Sequence, residues 1–228
     1  MGKLIFDTDM ALVGCGDVHE RLFMYSLITM MQAKTLVEMG VAGGDGIYWL
    51  AKAAQETGGH VHGFDCWRQH GAWNQFEQMG SKQQVEERLH RAGLSNFSLH
   101  QVDTGASDFD LASYISNEID FASIDGDHSY QGVKADFEQC SKRLSKRGII
   151  ILHDCLIIDG VRQYMLELEQ SNKWFMHTLP YGAGTRRSGV TIMQRKISTG
   201  VPMDEICGAP LSKDEIYANE IEYWGFPR

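Results

Sequence analysis

The sequence predicts an α/β fold built on a doubly wound, mostly parallel sheet, and three observations predict it. Between Thr35 and Asp65 a short apolar run, a glycine-rich turn, an amphipathic stretch and a second apolar run ending in an acid follow one another. Further apolar runs of strand length recur down the chain, most of them separated by stretches with helical spacing. The 228 residues, 43% hydrophobic and 22% charged, suffice to bury a full α/β core within one domain.

Taken in order, residues 1 to 16 show no period and read as a loose lead-in. From Asp17, a plausible N-cap, to Ala33 the pattern is helical, with Leu22, Phe23, Leu27, Met30 and Met31 on one broad face. The run is too short to span a bilayer and lacks the basic face of a membrane-surface helix. Thr35 to Met39 suits a buried parallel strand. Gly40, Gly43, Gly44 and Gly46 make the turn, Ile47, Leu50, Ala51 and Ala54 line one helix face, and Gly58 and Gly59 stop that helix. Val61 to Phe64 form the second strand, with Asp65 at its end. Gln83 to Ala92 reads as a polar helix and Asn96 to Val102 as the third strand. A helix over Ala106 to Ile115 would be capped by Asp103. Ile119 to Ile124 is the fourth strand, followed by a helix from Ser129 with Tyr130, Val133, Phe137 and Leu144 inward. Gly148 opens the fifth strand, Ile149 to Leu152. A helix from Asp159 turns Val161, Tyr164, Met165 and Leu168 inward, and Trp174 to Leu179 and Gly189 to Gln194 complete seven strands. After Pro202, Ser212 and Glu215 form a capping-box pattern ahead of a short helix with Ile216, Ile221 and Trp224. Residues 1–33 are thus lead-in and covering helix, 34–196 the α/β domain, and 197–228 a tail that folds back or meets another copy, leaving a homo-oligomer open.

Composition narrows the function. A net charge of −9 argues against a nucleic-acid partner. The odd, scattered Cys15, Cys66, Cys140, Cys155 and Cys207 read as reduced thiols, and Asp7 and Asp9 after a single Lys3 do not read as a secretory n-region, so a cytoplasmic, membrane-free protein is expected.

The strand, glycine turn, helix, strand and acid form a nucleotide-binding βαβ unit. Glycines let backbone approach a ligand, and an acid 19 residues beyond Gly46 is placed to accept ribose hydroxyls. The dinucleotide spacing of three glycines fails, since Gly40, Ala42 and Asp45 stand there and Asp45 would oppose a pyrophosphate. A cofactor with a ribose and no phosphate fits better.

In EMGVAGG (Glu38 to Gly44) and in IDGDHSYQGVKADF (Ile124 to Phe137) the sequence resembles the Rossmann-like class I S-adenosylmethionine-dependent methyltransferases, closest to small-molecule O-methyltransferases carrying IDGDHSYxGVxxDF. The resemblance covers about Lys34 to Arg195. It implies a seven-stranded sheet ending in an antiparallel hairpin, here joined by Pro180 to Ser188. It also implies S-adenosylmethionine held by Glu38, Gly40, Val41, Gly43, Asp65, Trp67, Asp103, Thr104 and Asp125. Trp67 would flank the adenine, or simply pin its loop; His70 and Trp73 would wall the substrate or be buried anchors. Asp103 would meet the adenine amino group, cap a helix, or do both.

Asp125 and Asp154 stand beyond the ends of strands four and five. As neighbours, which the resemblance implies, they start about 4.8 Å apart, close enough for one divalent ion. Related enzymes place acids at these positions for a metal. His153 departs from their pattern and favours Mn²⁺, Fe²⁺ or Zn²⁺ over Mg²⁺. The competing account has Asp154 capping a turn and His153 packing below. His128, by resemblance, is the general base for an acceptor hydroxyl, or else caps the helix at Ser129; Asp127 orients it or faces water. Arg186 and Arg187 form a basic pair, attracting an acidic group or solvated. The expectation is O-methylation of a small hydroxylated molecule such as a sugar or natural product. A non-catalytic cofactor-binding partner of a larger assembly is the alternative; a nicotinamide oxidoreductase is opposed by Asp45, and a metal phosphohydrolase lacks further His and Asp ligands.

Overall fold

The computed structural model describes residues 18–67, 80–180 and 188–196. The expectations for Cys15, Asp17, His70, Trp73, Arg186, Arg187, Cys207 and the tail after Lys196 lie outside the described residues. One compact unit runs to Arg195, and a second comprises Lys196–Arg228.

The elements are α1 (Val18–Met31), β1 (Thr35–Met39), α2 (Asp45–Thr57), β2 (His60–Asp65), α3 (Lys82–Arg91), β3 (Phe97–Gln101), a 3₁₀ turn (Leu111–Ser113), β4 (Ile119–Ile124), α4 (Tyr130–Lys142), β5 (Leu144–His153), α5 (Asp159–Gln170), β6 (Trp174–Leu179) and β7 (Val190–Arg195). They build one seven-stranded sheet in the order β3-β2-β1-β4-β5-β7-β6. The first five of these are parallel, and β7 runs antiparallel to both β5 and β6. The chain winds outward from β1 in one direction and from β4 in the other, so a switch point opens between them, where such sheets bind ligands.

Strand alternation sorts the core into two layers. Leu36, Val61, Leu99, Phe121, Ile149 and Ile151 face α1, α2 and α3. Val37, Met39, Phe64, Ala122, Ile124, Ile150 and Leu152 face α4 and α5. Ile47, Leu50, Ala51 and Ala54 of α2 are fully buried, as their spacing predicts. A side chain of the size of Leu50 stabilises by about 1.5–3 kcal/mol when it leaves water. Gly58, in the left-handed region at φ 67°, ends α2 by returning its N–H to Ala54 and Gln55.

Three expectations need correction. The buried face of α1 is Glu20, Arg21, Met24 and Ile28, whereas Met30 is 79% exposed. The site beneath the helix supplies charged partners, so Glu20 and Arg21 share the most buried side with Met24 and Ile28, while Leu22, Phe23, Leu27 and Met31 of the predicted face pack half-buried against the same core. No helix fills Ala106 to Ile115: Asp103 Oδ1 accepts from the nearby Gly105 N–H, and the 3₁₀ turn is capped by Asp110. Leu144 stands in β5 and not on the helix before it, and β5 begins four residues before Gly148.

Candidate active site

Register fixes the site. Met39 pairs with Phe64 and with Ile124, and Ile124 pairs with Leu152. The next residue of each strand or its extension, Gly40, Asp65, Asp125 and His153, therefore forms a row along the carboxyl edge of the sheet. By the two-residue period, Glu38, Asp65, Asp125 and His153 also project toward α1 and α2. Two neighbouring β-strand edges come close at Gly40, whose φ is 91°; a Cβ there would enter the backbone of Asp125.

The glycine turn is tied to Asp65. The carboxylate accepts from the Ala42 N–H at 2.8 Å and from the Trp67 N–H at 2.6 Å, and the Trp67 indole N–H donates to the Ala42 carbonyl at 3.2 Å. Trp67 thus clips the end of β2 to the turn. Ala42, Trp67 and Asp154 all hold positive φ, at 45, 43 and 56°, although none is glycine. Such conformations persist where surrounding contacts enforce them, typically at functional sites. Glu38 lies buried under the turn, and a Cβ on Gly46 would collide with its carboxylate. Burial pushes the Glu38 carboxyl well up despite the opposing charge of Arg21, and its Oε2 has no hydrogen-bond partner.

The second half of the site is an acid and histidine cluster. His128 Nε2 is 3.0 Å from Asp125 Oδ1, and its Nδ1 is 3.8 Å from Asp154 Oδ2. His153 Nδ1 lies 3.0 Å from Asp125 Oδ1 and 3.3 Å from Asp154 Oδ1, off the hydrogen-bond axis, while its Nε2 lies 3.2 Å from Glu20 Oε2. Burial opposes charge on His153, but the carboxylates of Asp125, Asp154 and Glu20 outweigh it and hold the ring as an imidazolium. Burial likewise opposes charge on Asp125, and the two histidines overcome it and keep the carboxyl well below its usual range. For His128, burial lowers the pKa and the hydrogen bond and charge of Asp125, with Asp154, raise it by more. Ser129, not His128, caps α4, through its hydroxyl on the Gly132 N–H at 3.0 Å. Asp127 turns to Ser129, accepting from its N–H at 2.9 Å and its hydroxyl at 3.0 Å.

As to a metal, ligand atoms of Asp125, His128 and Asp154 lie within 4.8 Å of one another, and these residues could converge on one ion. The mixed imidazole and carboxylate donors suit Mn²⁺, Fe²⁺ or Zn²⁺ better than Mg²⁺. His153 stands beside this set with both nitrogens against carboxylates. On the other flank, Asp103 and Thr104 follow β3, and Asp136 of α4 lies buried close to Gly126. Burial pushes the Asp136 carboxyl up to about 7, the poorly aligned Thr104 hydroxyl drawing it back and the charges of Asp127 and Asp103 adding to the rise.

Sequence reasoning missed Glu20 and Arg21. Both are buried; Glu20 meets His153, and Arg21 Nε donates to Asp45 Oδ2 at 2.9 Å. Their spacing to Met24 and Ile28 was the available signal, hidden by the richer apolar stripe beside it.

Residues 37–155, more than half of the chain, match the family model described as a methyltransferase domain. The chain belongs to this methyltransferase family. The fold of the methyltransferase is also that of an O-methyltransferase from Bacillus cereus in complex with SAH, at TM-score 0.65, 17% identity, 85% of this chain and 93% of that one. It resembles the O-methyltransferase TomG from Streptomyces achromogenes, involved in tomaymycin synthesis and in complex with SAM, at 0.64, 13%, 84% and 91%. A methyltransferase from Geobacter sulfurreducens matches at 0.62, 19%, 85% and 93%. A 55-residue stretch is 40% identical to the Sinorhizobium fredii protein y4gI; it is 23% of this chain and only 6% of that protein.

Proposed function

We propose that this methyltransferase transfers a methyl group from S-adenosylmethionine to a hydroxyl of a small molecule, with His128 as the base. The observation that carries the reading is the clip at the head of the sheet, in which Asp65 is locked to the Ala42 and Trp67 amides beside a phosphate-averse turn. Each Asp65 oxygen keeps a lone pair for a ribose hydroxyl. Glu38, Gly40, Val41 and Gly43 would border the cofactor's amino-acid end, where the unpartnered Glu38 Oε2 calls for a donor. Trp67, Asp103 and Thr104 would border its adenosine. The resemblance to SAM- and SAH-bound O-methyltransferases supports both the cofactor and the oxygen acceptor.

Methyl transfer from a sulfonium is an in-line displacement that needs alignment above all. The acceptor hydroxyl must lose its proton as the new bond forms. His128, held by Asp125 and facing Asp154, is the imidazole at the switch point positioned to take that proton. Its raised pKa makes it a stronger proton acceptor once neutral. Asp125 orients the ring and carries the charge that stabilises imidazolium. A divalent ion held by Asp125 and Asp154, with the free nitrogen of His128 left to act as the base, would supply Lewis-acid polarisation of the acceptor oxygen. His153, as a fixed imidazolium, already offsets part of the carboxylate charge there. Cys140 and Cys155 are free thiols, which fits a reducing, cytoplasmic setting. No helix of the described residues is long and apolar enough to cross a membrane.

The test is methyl transfer from labelled S-adenosylmethionine to a panel of hydroxylated acceptors, before and after chelation and with Mn²⁺ restored. His128→Ala should lower kcat by roughly 10²–10⁴-fold with S-adenosylhomocysteine binding retained. Binding of the cofactor with no transfer to any acceptor would favour the non-catalytic partner instead.

A further inference from the structure

The glycine turn between β1 and α2 has been made unfit for phosphate in two independent ways. Three of its amides are spent internally: Gly40 N–H goes to the Phe64 carbonyl at 2.9 Å, Ala42 N–H to Asp65 at 2.8 Å, and Gly44 N–H to the Val41 carbonyl at 2.9 Å. A phosphate cradle needs such donors aimed outward. The positive end of α2 is also occupied, because its first residue, Asp45, sets a carboxylate there and is only 7% exposed. Arg21 of α1 fixes that carboxylate through a bond of 2.9 Å, and the same guanidinium is 3.6 Å from Glu20. Glu38 lies below with an unpartnered oxygen. Arg21 thus stands between Asp45 and Glu20, on the side of the turn where the cofactor reading puts a nucleoside's 5′ substituent.

We propose that the Arg21–Asp45 pair is a specificity device that makes the turn reject a 5′-phosphate and admit a 5′-sulfonium. The inference rests on the cofactor reading above and adds to it the residues that choose between the two charges. Asp45 occupies the helix dipole that would otherwise attract an anion, and Arg21 keeps it aimed while offsetting part of its negative potential.

Calorimetry on the full chain gives two ratios: affinity for adenosine 5′-monophosphate over adenosine, and for S-adenosylmethionine over S-adenosylhomocysteine. The two members of each pair differ in the charge of the 5′ substituent, negative in the first pair and positive in the second. Asp45→Asn should raise the first about tenfold and lower the second. Arg21→Gln, which leaves Asp45 unneutralised, should shift both ratios the opposite way. Should Asp45→Asn fail to fold, Asp45→Ser and Arg21→Gln report the same ratios. Ratios within twofold of wild type, or moving in one direction in both variants, overturn the proposal and leave the pair a structural tether. Wild type binding neither adenosine nor S-adenosylhomocysteine would instead remove the cofactor reading itself, and this inference with it.

Discussion

At the scale of single residues, the acids near the sheet's carboxyl edge differ by environment. Asp125, between two histidines, stays ionised, whereas Asp136, 1% exposed and without a well-aligned partner, titrates near neutrality at about 7. Its pKa is raised in the folded chain, so this group's contribution is fully present below about pH 4 and is lost as pH rises to about 7, by about 4 kcal/mol. Asp136→Asn should remove that slope. The difference in Tm between pH 5 and pH 8 should narrow in the variant, and a difference equal to that of wild type would mean that Asp136 is already ionised at pH 5. The residue types at the site were legible, because Asp65, Asp125, His128 and Asp154 each follow a readable strand. Their pairings were not. Whether His128 caps a helix or faces Asp125 depends on which of two adjacent residues takes the N-cap, and Ser129 does.

At the scale of elements, β1, β4 and β6 have the bounds their sequence predicts, because each is a short apolar run between clear stops. Elements whose pattern competes with a local hydrogen bond or a buried charge were misread. The stretch after Asp103 shows helical spacing, yet Asp103 turns back onto Gly105 and the helix never starts. In α1 the apolar stripe packs half-buried against the core, but Glu20 and Arg21 take part of the most buried side beside Met24 and Ile28, because ion pairs at the site hold them there. The junction of β1 with β4 yields a prediction at this scale. Gly40→Ala places a Cβ at positive φ against the Asp125 backbone, so the two strand ends must part. Unfolding stability should fall by about 2 kcal/mol or more, with weaker S-adenosylhomocysteine binding. Denaturant unfolding beside calorimetry would show it, and unchanged values in both would mean that the strand ends have slack.

For the whole molecule, the sequence carried the fold class and the number of strands, but only resemblance supplied the antiparallel end, since strand order depends on long-range pairing that no local pattern encodes. That order brings α1 over the switch point, so residues 18–31 contribute to a site otherwise built from the sheet. The central claim is that the turn after β1, clipped to Asp65, holds S-adenosylmethionine. Titration calorimetry with S-adenosylhomocysteine on wild type and Asp65→Ala tests it most directly. The account predicts micromolar binding by wild type and a loss of about a hundredfold or more in the variant, as two ribose hydrogen bonds to a charged acceptor and the clip to Ala42 and Trp67 disappear together. No binding by wild type, or equal binding by Asp65→Ala, would contradict it.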